Sequence, residues 1–133
     1  MTEKNIWRQI GPQLDARGYA YRIETATVSG FPDVIWFTRN GVMLIEMKSG
    51  PLHFRAHQKL LIRQLGNIGI EVMCIWRKKA SEPIMVYRAY DLVVDHLRKQ
   101  SVGIIFKEWI KAWDVNLKNP TMNCWGVEED ADT

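Results

Sequence analysis

Two strand-like segments joined by Asn40-Gly41 constrain the fold of this 133-residue chain more than any other feature. Residues 33–38 and 42–48 are rich in β-branched, aromatic and other apolar side chains. An Asn-Gly pair between two such segments is a strong signal for an antiparallel hairpin. A two-residue turn at Asn40-Gly41 predicts that Asp33 lies opposite Lys48.

The hairpin also predicts which side chains share a face, because side chains alternate between the two faces of a strand. Asp33, Glu46 and Lys48 are predicted to project from one face, at the end of the hairpin remote from the turn. Apolar residues flank these charges on both faces, so we expect both faces of the sheet to be covered. A buried charge costs several kcal/mol unless it is compensated, so these groups require mutual pairing or a bound cation.

The rest of the chain alternates between helical and strand-like patterns, which predicts an α/β domain. Helices are predicted over residues 3–17, 55–67, 91–99 and 104–117, and further strands over residues 19–23, 72–76 and 84–87. Pro12 lacks a backbone N–H and is expected to bend or interrupt the first helix. The strand, helix and strand over residues 42–76 predict a parallel pair with a right-handed crossover. We therefore expect a mixed central β-sheet flanked by helices.

Composition restricts the class of protein. The chain is 47% hydrophobic and 25% charged, and its length suits one domain with its own core. No apolar run approaches the roughly 20 residues of a membrane-spanning helix, and the N-terminus lacks the apolar core of a signal peptide, so we expect a cytoplasmic protein. Cys74 and Cys124 form no Cys-x-x-Cys pair and are expected to be free thiols.

Charge is unevenly distributed along the chain. The last residues contain four carboxylates, Glu128, Glu129, Asp130 and Asp132. Removing these four negative charges from the formal net charge of +3 leaves +7 on residues 1–127. We expect residues 1–100 to form the core, residues 101–127 a C-terminal helical extension of the same domain, and residues 128–133 an acidic tail.

The basic body of the chain favours a polyanionic partner such as nucleic acid. Basic residues on the helix over 55–67 and just after the strand over 72–76 are candidates for contacting DNA phosphates. They are Arg55, Lys59, Arg63, Arg77, Lys78 and Lys79. The alternative interpretation of the helix residues is a solvated helix face.

The two carboxylates and one lysine of the hairpin have a net negative charge. Oxygen ligands of this kind suit a hard divalent cation, and magnesium fits them better than zinc. The three histidines, His53, His57 and His96, have no acidic or cysteine partner at a recognised zinc spacing, so we interpret them as surface or loop residues. The alternative is that Lys48 neutralises one carboxylate in an ordinary ion pair.

Residues 30–58 resemble the signature of the PD-(D/E)XK nuclease superfamily, and specifically of the VRR-NUC family. The resemblance rests on Gly30-Phe31-Pro32-Asp33, Glu46-Met47-Lys48, Gly50 and Gln58, in this order, and extends over about residues 3–99. Small stand-alone members of this family occur in bacteriophages and resemble Holliday-junction resolvases. The resemblance implies a restriction-endonuclease-like core and a DNA endonuclease that depends on Mg²⁺ or Mn²⁺, without a nucleotide cofactor. It also implies a phage protein acting in the cytoplasm of a bacterial host.

The resemblance implies roles for individual residues of the hairpin. Asp33 and Glu46 match the metal ligands of the family, and the backbone carbonyl of Met47 completes the ligands that the protein provides. Lys48 matches the lysine that positions the attacking water and helps to deprotonate it. Together with the metal, these groups would activate water and neutralise the charge that grows on the phosphoryl oxygens.

Two further residues match the family outside the hairpin. Gln58 matches a helix glutamine that borders the site, and the helical stripe formed with Ile62 would turn it toward the sheet; the alternative is a glutamine exposed to water. Glu3 is the best match to a glutamate on the first helix of the family that joins the site. Glu24 is a rival for that role, and either carboxylate could instead be a solvated surface charge.

The main functional hypothesis is a structure-selective endonuclease for branched DNA, such as a four-way junction. Symmetric cutting of a junction requires two active sites, so we expect a homodimer. The dimer contacts are expected at the apolar positions of the last helix, which are Ile105, Trp109, Ile110 and Trp113. The alternative for Trp109 and Trp113 is packing in the core of the chain itself. The alternatives are a nuclease that acts on flaps or linear DNA, and a catalytically inactive DNA-binding module with the same fold.

Overall fold

Six strands of the chain form one mixed sheet within the residues that the structure describes. The structure, a computed structural model, describes residues 2–23, 30–94, 97 and 101–118. In chain order the elements are α1 (Glu3–Asp15), β1 (Tyr19–Arg22), β2 (Val34–Thr38), β3 (Gly41–Ser49), α2 (Ala56–Asn67), β4 (Val72–Arg77), β5 (Met85–Arg88), α3 (Ala89–Val93), β6 (Ile104–Ile105) and α4 (Phe106–Lys118). The strand order in the sheet follows the chain, from β1 to β6. β3 and β4 are parallel, and the other neighbouring strands are antiparallel.

Helices cover both faces of the sheet, as the sequence predicted. On one face, side chains of α1 and α4 pack against Val34, Trp36, Ile45 and Met47. On the other face, side chains of α2 and α3 pack against Leu44 and Cys74. Because neighbours along a strand contribute to opposite cores, the central strands are buried on both faces. The predicted fold class is therefore confirmed.

The first helix, α1, continues through Pro12, and the expected interruption is wrong. Thr2 caps its N-terminus by accepting a hydrogen bond from the Asn5 N–H, and Pro12 itself accepts a bond from the Ala16 N–H at 3.0 Å. Proline inside a helix costs about 3 kcal/mol. Ile10 and Leu14, on either side of it, are completely buried. Burial of this apolar face opposes the cost of the proline, because most helical stability in proteins comes from packing.

The hairpin turn lies one residue earlier than the sequence predicted. Thr38 pairs with Gly41, so Arg39 and Asn40 form the two-residue loop. Neither loop residue has a positive φ, whereas Gly41 has a φ of +111°. A type I′ turn needs positive φ at both central residues, so the Asn-Gly pair does not form one here. Instead, the glycine takes the left-handed conformation just after the loop.

The earlier turn changes the register of the hairpin but not its faces. Ile35 lies opposite Leu44, not opposite Glu46, so the predicted pairing of Asp33 with Lys48 is also wrong. The register differs from the predicted one by two residues. Since side chains alternate with a period of two, an even shift leaves each residue on its predicted face. Asp33, Glu46 and Lys48 therefore still share one face.

The last helix differs from its prediction in its beginning and in its packing. Ile104 and Ile105 form β6, which pairs with β5, so the helix starts only at Phe106. Trp109, Ile110 and Trp113 are buried in the core of the chain. Their expected role as dimer contacts is therefore wrong, because the sheet of the same chain already covers them. Ile105 remains exposed.

Some predictions lie wholly or partly outside the described residues. They concern most of the loop over 25–30, the acidic tail over 128–133, Glu24, His96 and Cys124. The helix predicted over 91–99 begins earlier, as α3, and its second half falls largely on residues that are not described. None of the described helices is long and apolar enough to cross a bilayer.

Candidate active site

Asp33 and Met47 meet at the point where β2 begins beside β3. Because β2 starts only at Val34, the Met47 N–H has no strand residue of β2 opposite it. It donates instead to Oδ2 of Asp33, at 2.8 Å. The N–H and C=O of one strand residue point toward the same neighbouring strand, so the Met47 carbonyl also points to the side of Asp33. A carboxylate and a backbone carbonyl thus lie side by side at the end of a strand.

Glu46 is a buried carboxyl group, with 3% of its surface exposed. Burial, together with the charge of nearby Asp33, raises the pKa of Glu46 to about 8. A hydrogen bond between the two carboxyl groups raises this pKa further, whereas Lys48 lowers it. A carboxyl with this pKa is largely protonated at neutral pH when no cation is bound.

Gln58 connects the first turn of α2 to the charged groups of β3. Its Nε2 donates to Oε1 of Glu46 at 3.0 Å, and its Oε1 accepts from Nζ of Lys48 at 3.0 Å. The same Oε1 accepts the Arg55 N–H at 2.9 Å. Only 4% of the Gln58 surface is exposed, as its place on the buried stripe of α2 predicted. The alternative of a water-exposed glutamine is therefore wrong.

Lys48 is held by three groups. Besides its bond to Gln58, its Nζ lies 3.6 Å from Oε1 of Glu46 and 4.9 Å from the centre of the Phe54 ring. A cation near the face of an aromatic ring is attracted by the electrons of the ring. The ammonium is therefore held beside the site by the amide oxygen of Gln58, the carboxyl group of Glu46 and the ring of Phe54.

Glu3 lies in the electrostatic neighbourhood of the same carboxylates. Burial raises the pKa of Glu3, and the nearby charge of Asp33 raises it further. Lys48, Arg22 and Arg55 lower it. The structure thus places the first residue of α1 near the hairpin charges. Glu24, its rival for this role, lies outside the described residues.

Arg22 is a basic residue near the site that the sequence did not single out. It ends β1 and pairs with Val34, the residue that follows Asp33. The hairpin signal identifies the pairing of β2 with β3 but contains nothing about β1. Arg22 reaches the site only because β1 pairs with β2. A sequence signal for the register of these two strands would have identified Arg22 as a site residue.

The basic residues proposed for DNA contact have different surroundings. Arg55, Lys59, Lys78 and Lys79 are exposed. Arg63 donates through Nη2 to the carbonyl of Val93 at 3.0 Å and so connects α2 to α3. Arg77 donates through Nε to the carbonyl of Glu82 at 3.1 Å. Arg63 and Arg77 therefore have bonds within the chain in addition to any contact with a ligand.

The groups at this site fit Mg²⁺. In the part of the chain that the structure describes, no group of three or more His, Cys, Asp or Glu side chains could hold a metal ion. Mg²⁺, however, usually keeps several waters and binds through one or two carboxylates and the substrate phosphates. Asp33, Glu46 and the Met47 carbonyl suit such a site. A cation there would displace the proton of Glu46.

Gly30 packs against the first turn of α2, and its replacement by alanine is expected to lower stability strongly. Its φ is +82°, and an added Cβ would lie 2.6 Å from the carbonyl carbon of His57 and 2.8 Å from the Gln58 N. Strain and clash together are expected to cost about 2–4 kcal/mol. Gly69→Ala is the matched control, because Gly69 has a φ of +86° but open space around it.

Chemical denaturation of both alanine variants measures this difference. Gly69→Ala is expected to lose about 1–2 kcal/mol, from backbone strain alone. Equal losses in the two variants would show that the contact between Gly30 and α2 is unimportant.

Comparison with known proteins identifies the fold. No protein-family model matches the chain, and no curated protein matches it. The structure is similar to that of Hjc from Archaeoglobus fulgidus, a Holliday junction resolvase from an archaeal hyperthermophile, with a TM-score of 0.55 and 18% sequence identity. The match covers 81% of this chain and 96% of that chain. The chain therefore has the mixed α/β fold of this archaeal resolvase.

Proposed function

We propose that the protein is a metal-dependent DNA endonuclease that acts on branched DNA, such as a four-way junction. The network of Asp33, Glu46, Lys48 and Gln58 carries this proposal, because it brings two carboxyl groups and a lysine together beside the backbone of Met47. We also propose that the chain is a member of the VRR-NUC family. Similarity of fold to a Holliday junction resolvase supports the choice of branched DNA.

Each residue of the network has a chemical role in the proposed hydrolysis. Mg²⁺ or Mn²⁺, when bound, supplies a Lewis acid and lowers the pKa of water. Asp33 and Glu46 hold the cation, and the carbonyl of Met47 adds a neutral oxygen. Lys48 places a positive charge beside the attacking water and the phosphate, where negative charge develops. Gln58 is a positioning residue, since its amide fixes Lys48 and Glu46 relative to each other.

Cleavage of labelled DNA tests the proposal. Wild type and Lys48→Ala are incubated with four-way junction, flap and linear duplex, in magnesium, manganese or chelator. We expect the wild type to cut the junction fastest, only with metal, and Lys48→Ala to be slower by about 10²-fold. Lys107→Ala is the control, because Lys107 is exposed on α4.

Two outcomes would favour the other functions. Faster cutting of flaps or linear duplex would identify a nuclease with a different substrate. Intact DNA in every lane, with retained binding, would identify an inactive DNA-binding module. In that case calorimetry would show no binding of magnesium or manganese that depends on Asp33.

We further propose that a second copy of the chain binds an exposed apolar patch at the β1 side of the sheet. Tyr19, Tyr21, Phe37 and Val42 share one face of β1, β2 and β3, and each is between 43% and 70% exposed. The rings of Tyr21 and Phe37 contact each other edge to face, with centres 6.0 Å apart. Exposed apolar side chains in one patch are typical of interaction surfaces, and a two-fold dimer would give the two active sites that symmetric cutting needs.

Light scattering tests the dimer. We expect wild type to have the mass of a dimer, and Tyr21→Glu or Phe37→Glu to have that of a monomer, because a charge in an apolar interface must be desolvated. Val102→Glu is expected to stay a dimer, since Val102 is exposed elsewhere on the molecule. A wild type that is monomeric even with junction DNA would contradict both the dimer and the resolvase activity.

A further inference from the structure

A shallow groove lies between α1 and the segment that connects β4 to β5. Its volume is about 410 Å³, and it is lined by Asn5, Arg8, Gln9, Arg77 and Ala80. Two of the lining residues are positively charged, two are amides, and none is a carboxylate. The chemistry of this lining therefore suits an anion.

Two hydrogen bonds within the groove hold the guanidinium of Arg77 in place. Nη2 of Arg77 donates to Oε1 of Gln9 at 3.3 Å, and its Nε donates to the carbonyl of Glu82. These bonds use two of the five N–H groups of the guanidinium and fix its position. They also occupy the acceptor oxygen of Gln9, so the NH₂ of that amide is the group that remains for a ligand.

The groove lies at the same end of β3 and β4 as the candidate active site, but on the other face of the sheet. Arg77 ends β4 opposite Ser49, so its side chain lies on the face covered by α1, whereas Lys48 lies on the face covered by α2. The carbonyl of Arg77 accepts the Gly50 N–H at 3.0 Å, so the two strand ends are directly connected. Arg8 lies on α1, the helix that begins with Glu3. A strand of nucleic acid that crosses the ends of β3 and β4 would therefore pass from Lys48 on one face to this groove on the other.

We propose that the groove binds a phosphodiester group of the DNA near the one that is cut, with Arg8 and Arg77 as the charged ligands. The inference rests on the proposed nuclease function and extends it to a path of the substrate strand from Lys48, across the ends of β3 and β4, to α1. Arg8 is the critical residue, because it is exposed and lines the groove from the side opposite to Arg77. The sequence did not single it out, since a basic residue on the polar side of an amphipathic helix is usually a solvated surface charge.

Fluorescence anisotropy in chelator, with labelled four-way junction and duplex, measures binding without cleavage. Arg8→Gln is expected to weaken DNA binding by about 5- to 10-fold and to lower the slope of log K against log salt by about 1. Lys107→Gln removes the same charge from an exposed site on α4 and is expected to change affinity by less than about twofold. Arg8→Lys is expected to recover part of the lost affinity, because it restores the charge without the guanidinium fork.

The possible results distinguish a failure of the groove proposal from a failure of the proposed nuclease function. Equal effects of Arg8→Gln and Lys107→Gln would overturn the groove, since net charge alone would then explain binding. If inorganic phosphate binds the wild type and Arg8→Gln abolishes only that binding, the groove is a site for free phosphate and the proposal also fails. A specific loss of DNA binding in Arg8→Gln supports the groove even if the wild type cuts no substrate, in which case only the nuclease function fails.

Discussion

Glu46→Gln is expected to abolish metal-dependent cleavage while making the metal-free protein more stable. Glutamine keeps the shape of the side chain and an oxygen that can accept the bond from Gln58. A neutral amide is a much weaker ligand for Mg²⁺ than a carboxylate. Losing several kcal/mol of transition-state stabilisation by the metal would slow cleavage by about 10³-fold. The same substitution is therefore expected to lower activity and to raise the free energy of unfolding of the metal-free protein.

The stability gain follows from the pKa of Glu46. In the folded chain this pKa is about 8, well above its usual 4.5, so folding opposes ionisation of the group. The unfolded chain therefore releases this proton at lower pH than the folded chain does. In chelator, stability of the wild type is expected to fall as pH rises from about 4.5 to about 8, by a few kcal/mol. Glu46→Gln lacks this loss, so its advantage grows across the same range of pH.

Thermal denaturation in chelator between pH 5 and pH 8.5 measures the advantage, and junction cleavage measures activity. Magnesium is expected to stabilise the wild type and to leave the melting temperature of Glu46→Gln unchanged. A variant that cuts DNA normally would show that Glu46 holds no metal. Parallel pH profiles of the two proteins would show that the buried carboxyl is ionised at neutral pH.

Trp36→Ala is expected to be the most destabilising of the substitutions considered. Trp36 is completely buried on β2, and its ring centre lies 5.8 Å from that of Trp109 and 4.7 Å from that of Trp113. Its Nε1 donates to the carbonyl of Leu14 on α1, at 2.9 Å. One side chain thus connects the sheet to both α1 and α4. Its truncation leaves a large cavity and is expected to cost about 3–5 kcal/mol.

Chemical and thermal denaturation measure this cost. The melting temperature is expected to fall on the order of 10 °C or more. Leu60→Ala is the control, because Leu60 is an apolar side chain exposed on α2, and it is expected to lose about 0.5 kcal/mol or less. Similar losses in the two variants would show that the tryptophan cluster does not stabilise the fold.

The sequence predicted the carboxylates and lysine of the site because they lie within one hairpin. The alternation of side chains depends only on parity, so Asp33, Glu46 and Lys48 share a face even though the register differs by two residues. The register itself depends on turn conformation. The loop at Arg39-Asn40 lacks the positive φ values of a type I′ turn, and the sequence does not encode that choice unambiguously.

Other features depend on contacts that a linear pattern does not contain. Trp109 and Trp113 form an apolar stripe, and such a stripe does not tell whether the covering surface belongs to the same chain or to a partner. Ile104 and Ile105 form a strand too short to have a periodicity of its own. Arg22 and Arg8 reach the site and the groove only through tertiary packing, so neither could be identified from spacing along the chain.

The side chains of the site come from one short part of the sequence. Asp33 contacts the backbone of Met47 across 14 residues, and Gln58 lies only 10 residues from Lys48 and 12 from Glu46. Contacts between residues this close in sequence cost little loop entropy, whereas the pairing of β3 with β4 must close the longer crossover through residues 50–71. We therefore expect the four side chains to meet early in folding, before the parallel strands pair.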